Sequence, residues 1–148
     1  MLDFYEISED TLAIVPYGKT SSKIIEKDRE LIVEETPMDI INNSCLYFGS
    51  SYEGRYSATK HLLGISYKSP IIIEESKNMI FFPTSSPRFL KCYWISLNNI
   101  SKYHKNNNHS VILFDCGIKL DVPISYGSLD NQILRATRLE SIIRNKKK

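Results

Sequence analysis

Cysteine is scarce in this 148-residue chain: Cys45, Cys92 and Cys116 are widely spaced, odd in number and free of any C-x-x-C pair. That excludes a disulfide framework and a zinc ribbon, and it predicts reduced thiols. Long apolar runs are missing too. Nothing approaches the roughly 20 residues that a membrane-spanning helix needs, so no membrane partner is expected. The N-terminal MLDFYEISED is acidic and lacks the basic start and apolar middle of a secretion signal, which predicts a cytoplasmic protein.

Catalytic patterns are equally thin. His61, His104 and His109 have no E-x-x-H partner, and His104 and His109 straddle a polar turn, which suits surface histidines better than metal ligands. The glycine–serine segment Gly49-Ser-Ser-Tyr-Glu-Gly54 is neither G-x-S-x-G nor a phosphate loop with G-K-[ST]. The expectation is a protein that is not an enzyme and needs no cofactor or metal. Excess charge of one sign is also lacking, with 19 Lys and Arg against 17 Asp and Glu. The two signs are unevenly placed, however. Acids dominate up to Ile40, bases prevail beyond it, and the chain ends in Arg144, Lys146, Lys147 and Lys148. Such asymmetry suits an anionic partner on the basic part, and equally a solvated exterior.

What is present reads as one α+β domain over 1–148, rich in antiparallel strands, with a C-terminal amphipathic helix and a basic, partly frayed end at 139–148. Tyr5 to Ile7 and Thr11 to Pro16 flank the turn-forming Ser8-Glu-Asp10 and predict a hairpin; Lys23 to Lys27 and Arg29 to Glu34 predict another around Asp28. Thr36-Pro37-Met-Asp39 combines an N-cap with proline at the first helical position, which predicts a short helix ending near Asn42-Asn43. Gly49 to Gly54 reads as loop, and Arg55 to Leu63 as a helix closed by Gly64. Pro70 to Ile73 and Met79 to Phe82 read as buried strands. From Cys92 onward, Tyr93 to Lys102, Ser110 to Phe114 and Ile118 to Pro123 predict an antiparallel meander with exposed asparagines at its first turn. After Ser128, a candidate N-cap, the residues Leu129, Ile133, Ala136, Leu139 and Ile143 recur at helical spacing, with Arg135, Arg138 and Arg144 off that stripe and pointing outward.

Two stretches mix bases and aromatics as nucleic-acid contacts do. Tyr52-Glu-Gly-Arg55-Tyr56, with Lys60 nearby, sets a fork-shaped guanidinium beside small neighbours. Thr84 to Lys91 joins hydroxyls to Arg88, Phe89 and Lys91, as in a flexible phosphate-contacting loop. Either could equally be a solvated turn whose aromatics fill the core.

Longer strings carry more. Ser22–Asp28 (SKIIEKD), Asn43–Arg55 (NSCLYFGSSYEGR), Ile65–Ile71 (ISYKSPI), Phe82-Pro-Thr84 with Cys92–Ser96 (CYWIS), and Pro123–Gln132 (PISYGSLDNQ) occur in order and spacing that resemble the ComK family of bacterial competence transcription factors. The resemblance implies a DNA-binding activator of genes for DNA uptake and recombination. It further implies binding to AT-rich boxes, mainly in the minor groove, as a homo-oligomer that is a dimer or pair of dimers, with RNA polymerase and a proteolytic adaptor as further partners. Lys23, Lys27, Arg55 and Lys68 lie in the matched strings and are the DNA-contact candidates that the resemblance carries over. Arg88, Lys91, Arg135 and Arg138 join them on local chemistry. Longer members continue past the C-terminal helix with a tail used in adaptor recognition, so that partner and full activator strength do not transfer directly. The alternative is a protein-interaction module that pairs with a full-length relative and modulates it.

Overall fold

In the computed structural model, which describes residues 1–146, the first three strands, β1 (Thr11–Tyr17), β2 (Ser21–Glu26) and β3 (Glu30–Val33), are followed by α1 (Pro37–Tyr47) and α2 (Tyr52–Leu63). Then come β4 (Ile71–Glu74), β5 (Met79–Pro83), β6 (Trp94–Ser96), β7 (Ile100–Asn106), β8 (His109–Phe114), β9 (Lys119–Val122) and α3 (Tyr126–Lys146). The strands form a six-stranded antiparallel sheet in the order β3-β2-β1-β6-β5-β4 and a three-stranded meander β7-β8-β9. This is an α+β single domain. No described helix is long and apolar enough to cross a membrane.

The larger sheet is buried on both faces, which explains its continuous apolar runs. Alternate residues of a strand point to opposite sides, and here both sides are apolar. Ile14, Ile24, Ile71, Ile73, Phe81 and Trp94 pack with Ile40, Ile41 and Cys45 of α1 on one face. Ala13, Ile25, Ile72, Ile80, Phe82 and Ile95 pack on the other with α3 and the small sheet. From α3 that second core receives Leu129, Ile133, Ala136, Leu139 and Ile143, the stripe that the helical spacing predicts. The helix continues to Lys146 with Ile143 buried, over the stretch the sequence reads as a partly frayed end; residues 147 and 148 lie outside the described part.

Several boundaries differ from the sequence reading for identifiable reasons. Tyr5 to Ile7 does not form a strand. Its residues are fastened by side chains instead: the Tyr5 hydroxyl donates to the buried Glu26 carboxylate, and the Ile7 amide donates to Ser44 Oγ at 3.1 Å. Tyr93 to Lys102 is not one strand either. Trp94 to Ser96 fills the gap between β1 and β5, after which Asn98 Oδ1 accepts from the Ile80 amide (3.1 Å) and Asn99 Nδ2 donates to Ser96 Oγ (2.8 Å). Those side-chain bonds anchor the turn where the chain leaves one sheet for the other. The first helix runs past Asn42-Asn43 to Tyr47. In α3 the cap is Ser125 rather than Ser128: its hydroxyl accepts from the Ser128 amide (3.2 Å) and the helix starts at Tyr126.

The segment Gly49 to Gly54 is half helix. Ser51 is the N-cap of α2, its hydroxyl accepting from the Gly54 amide at 2.9 Å, and Gly64 closes the helix in the left-handed conformation at φ 71°. Ser51→Ala is therefore expected to cost about 1 kcal/mol. A lower urea midpoint at unchanged slope is the measurement.

Candidate nucleic-acid interface

Two loops meet at one buried amide. Gln132, on α3, lies within the apolar stripe and is fully buried. Its Nε2 donates to the Lys68 carbonyl (2.9 Å) and to the Pro83 carbonyl (2.7 Å), so it ties the 65–70 loop to the neck of the 84–92 loop. One turn further on, Arg135 donates to Gln132 Oε1 (2.8 Å) and to the Tyr67 carbonyl (2.6 Å). The guanidinium expected to point outward is turned inward, because it satisfies a carbonyl that α3 brings near. Partial burial lowers its pKa, since desolvation disfavours the charged form.

Lys68 sits at φ 50°, a conformation that non-glycine residues avoid, and the Gln132 bond to its carbonyl helps to hold it there. Its ammonium lies 5.4 Å from the centre of the Tyr67 ring, and both side chains reach the surface. The 84–92 loop is closed at its neck by the bond from the Thr84 amide to the Tyr93 carbonyl (2.9 Å) and by the Tyr93 amide donating to Thr84 Oγ1 (2.9 Å). Its hydroxyls do not face solvent as a phosphate-contacting loop would require. Thr84 and Ser86 are buried, and Ser85 Oγ is buried without a hydrogen-bond partner among the described residues. Its bases do face out: Arg88 and Lys91 are exposed, and the Lys91 ammonium lies 5.7 Å from the Phe89 ring centre.

The remaining candidates divide by what already engages them. Lys23 is paired with Glu30 (3.1 Å) and Lys27 with Asp10 (3.9 Å); exposed pairs of this sort are worth about 0–1 kcal/mol. The register of β1 and β2 puts Thr11 beside Glu26 and Tyr17 beside Ser21, so Lys27 lies at the end of the sheet away from the 84–92 loop. Arg138 is exposed and has no ion pair among the described residues. Arg55 belongs to the first turn of α2, half-buried, with its Nε buried and unpaired. The guanidinium lies close enough to Cys45 to offset part of the burial that pushes that thiol up to about 11. It pairs with neither Glu53 nor Glu74; Glu74 instead accepts from Ser76 and Lys77. Cys45 and Cys92 are buried free thiols and Cys116 is an exposed one.

Bases without an ion pair among the described residues thus lie on the 65–70 loop, the 84–92 loop and α3, and no carboxylate interrupts the chain from 76 to 114. A family model described as "ComK protein" matches residues 2–148. The chain belongs to the ComK family. It is 37% identical over 144 residues to the "Competence transcription factor" of Bacillus subtilis (strain 168), an alignment covering 95% of this chain and 75% of that protein. No solved structure matches it.

On the ComK-family chain the strings that carried the resemblance acquire structural roles. In Phe48–Arg55, Ser51 caps α2 and Gly54 gives its amide to that cap. Pro123–Gln132 supplies the Ser125 cap and ends on the loop-tying amide. Sequence reading missed Gln132, although a signal was there: a glutamine three residues after Leu129 falls on the buried stripe, where an amide must find partners. It also missed the bases of the meander that have no ion pair among the described residues, Lys102 and Lys105 on β7 and Lys119 on β9, all exposed.

Proposed function

We propose that this ComK-family chain is a competence transcription factor that binds double-stranded DNA and activates genes for DNA uptake and recombination. The observation that carries the reading is the extent of its similarity to a protein of that name, 95% of this chain. The geometry supports it, because Lys68, Arg88, Lys91 and Arg138 have no carboxylate partner among the described residues and stand on loops and a helix tied together by Gln132. Their targets are AT-rich boxes read mainly in the minor groove. A-tracts narrow that groove and deepen its negative potential, so inserted Arg and Lys side chains are attracted even though its hydrogen-bond code is degenerate. The acting form is a homo-oligomer, a dimer or a pair of dimers, working with RNA polymerase in the cytoplasm.

Titrating an AT-box duplex and a GC-rich duplex at two salt concentrations tests this directly. The AT-box duplex is expected to bind more tightly, and log K to fall with log salt by about 0.9 for each phosphate neutralised. Equal, weak binding to both duplexes would leave the chain as a protein-interaction module instead. Arg55 extends the same test. A groove arginine lost in Arg55→Ala weakens AT-rich sites most, whereas a lost phosphate contact weakens every sequence alike and lowers the salt slope by about one. Since Arg55 makes no ion pair among the described residues, its removal is expected to leave stability unchanged; unaltered affinity for both duplexes would remove it from the interface.

A further inference from the structure

Beneath the 84–92 loop lies an apolar groove with Arg88 on its lining. Pro16, Met38, Pro87, Leu90 and Trp94 contribute to its walls, and its volume is about 200 Å³. Small-molecule sites usually run to about 300–1,000 Å³, so this groove has room for a large apolar side chain rather than a cofactor. Phe89 and Leu90 stand half-exposed at its mouth, at 50% and 60%, two adjacent apolar side chains on one loop.

The charged side chains that line it have one sign. Lys19 and Arg88 are its only charged lining residues, both exposed and without an ion pair among the described residues, and Lys91 follows on the same loop. Glu34 and Glu35, which precede the lining residue Thr36 in the chain, accept from the Ser21 hydroxyl (3.1 Å) and the Asn43 amide (2.8 Å) and are not part of the lining. Asp39 is exposed in the first turn of α1 but is not part of the lining. A further feature points the same way. Trp94 is fully buried, and its indole N–H has no acceptor among the described residues. Buried donors are nearly always satisfied, by protein or by ordered water, and this one borders the groove.

We propose that this groove docks a short peptide segment in which one large apolar side chain is flanked by carboxylates. The apolar side chain enters between Met38, Pro87 and Leu90, and the carboxylates meet Lys19, Arg88 and Lys91. Duplex DNA would answer the charge but not the slot, because phosphates and sugars have no side chain to bury among prolines and a methionine. The surface therefore serves a protein partner bearing an acidic, apolar motif, with Arg88 and Lys91 shared between that partner and the candidate DNA interface.

The test uses the full chain and a fluorescently labelled, capped hexapeptide in which a leucine–phenylalanine pair sits between two glutamates on each side. Anisotropy should report saturable binding. Replacing the glutamates by glutamines, or the leucine–phenylalanine pair by alanines, should weaken it roughly tenfold or more. Leu90→Ser, a neutral change at an exposed position, should weaken the peptide similarly while leaving the melting temperature and duplex affinity unchanged. Methyl NMR then localises the contact: of the methionines Met1, Met38 and Met79, only the Met38 signal should move. Absence of saturable binding, equal binding of the glutamine peptide, or a Met38 signal that moves with duplex DNA and not with the peptide would overturn the proposal. Because the peptide titration contains no DNA, its failure is distinct from failure of the DNA-binding reading.

Discussion

Leu139→Ala should lower the melting temperature more than any surface change. Leu139 is fully buried at the centre of the α3 stripe, within the core shared with Phe82, Ile95 and Phe114. Truncating a large buried aliphatic side chain removes its transfer free energy and leaves a cavity, together typically about 2–5 kcal/mol. For a domain of this size each kcal/mol corresponds to about 2–4 °C. A drop of roughly 10 °C by calorimetry is the expected result, and an unchanged melting temperature would mean that the α3 stripe is not buried as described. The neighbouring exposed residue Arg138 provides the comparison. Arg138→Ala should leave the melting temperature nearly unchanged and weaken DNA binding with a shallower salt slope.

Gln132→Leu should be the second most damaging substitution, and in two ways at once. Leucine fits the buried site by volume but cannot donate to the carbonyls of Lys68 and Pro83, nor accept from Arg135. A buried acceptor that loses its donor costs about 1–3 kcal/mol, so urea unfolding should show a loss of at least that order. The second effect concerns function. Lys68 and Arg88 ride on loops whose bases the amide joins, so a folded Gln132→Leu protein is expected to bind AT-box duplex more weakly even at temperatures well below its transition. Normal affinity in a protein with clearly reduced stability would show that the amide serves folding alone and does not position the basic loops.

The parts of the fold that were legible in the sequence are those set by neighbours along the chain. Strand alternation and helical spacing are local, so the apolar stripe of α3, the buried runs at β4 and β5, and the Thr36-Pro37 start of α1 could be read directly. Turn chemistry likewise gave Gly64 as the stop of α2. Errors arose where a segment had a choice of partner. Tyr5 to Ile7 has the pattern of a hairpin strand, yet hydrogen bonds to Glu26 and Ser44, 21 and 37 residues away, hold it as a side-chain-fastened segment. Tyr93 to Lys102 has the pattern of one long strand, and only the vacancy between β1 and β5 decides that its first residues join the larger sheet.

The same division holds for the candidate interface. By itself the sequence determined the family strings, the acid-free stretch from 76 to 114 and the list of bases able to meet a phosphate. Tertiary structure alone decided which of those bases are free: Lys23 and Lys27 face Glu30 and Asp10, while Arg135 is turned inward to a carbonyl 68 residues distant. It alone also placed Gln132, joined to Lys68 across 64 residues and to Pro83 across 49. The physical reason is one of range. Periodicity and capping are properties of a few consecutive residues, whereas the pairing of a charge or the satisfaction of a buried amide depends on atoms that meet only after the chain has closed on itself.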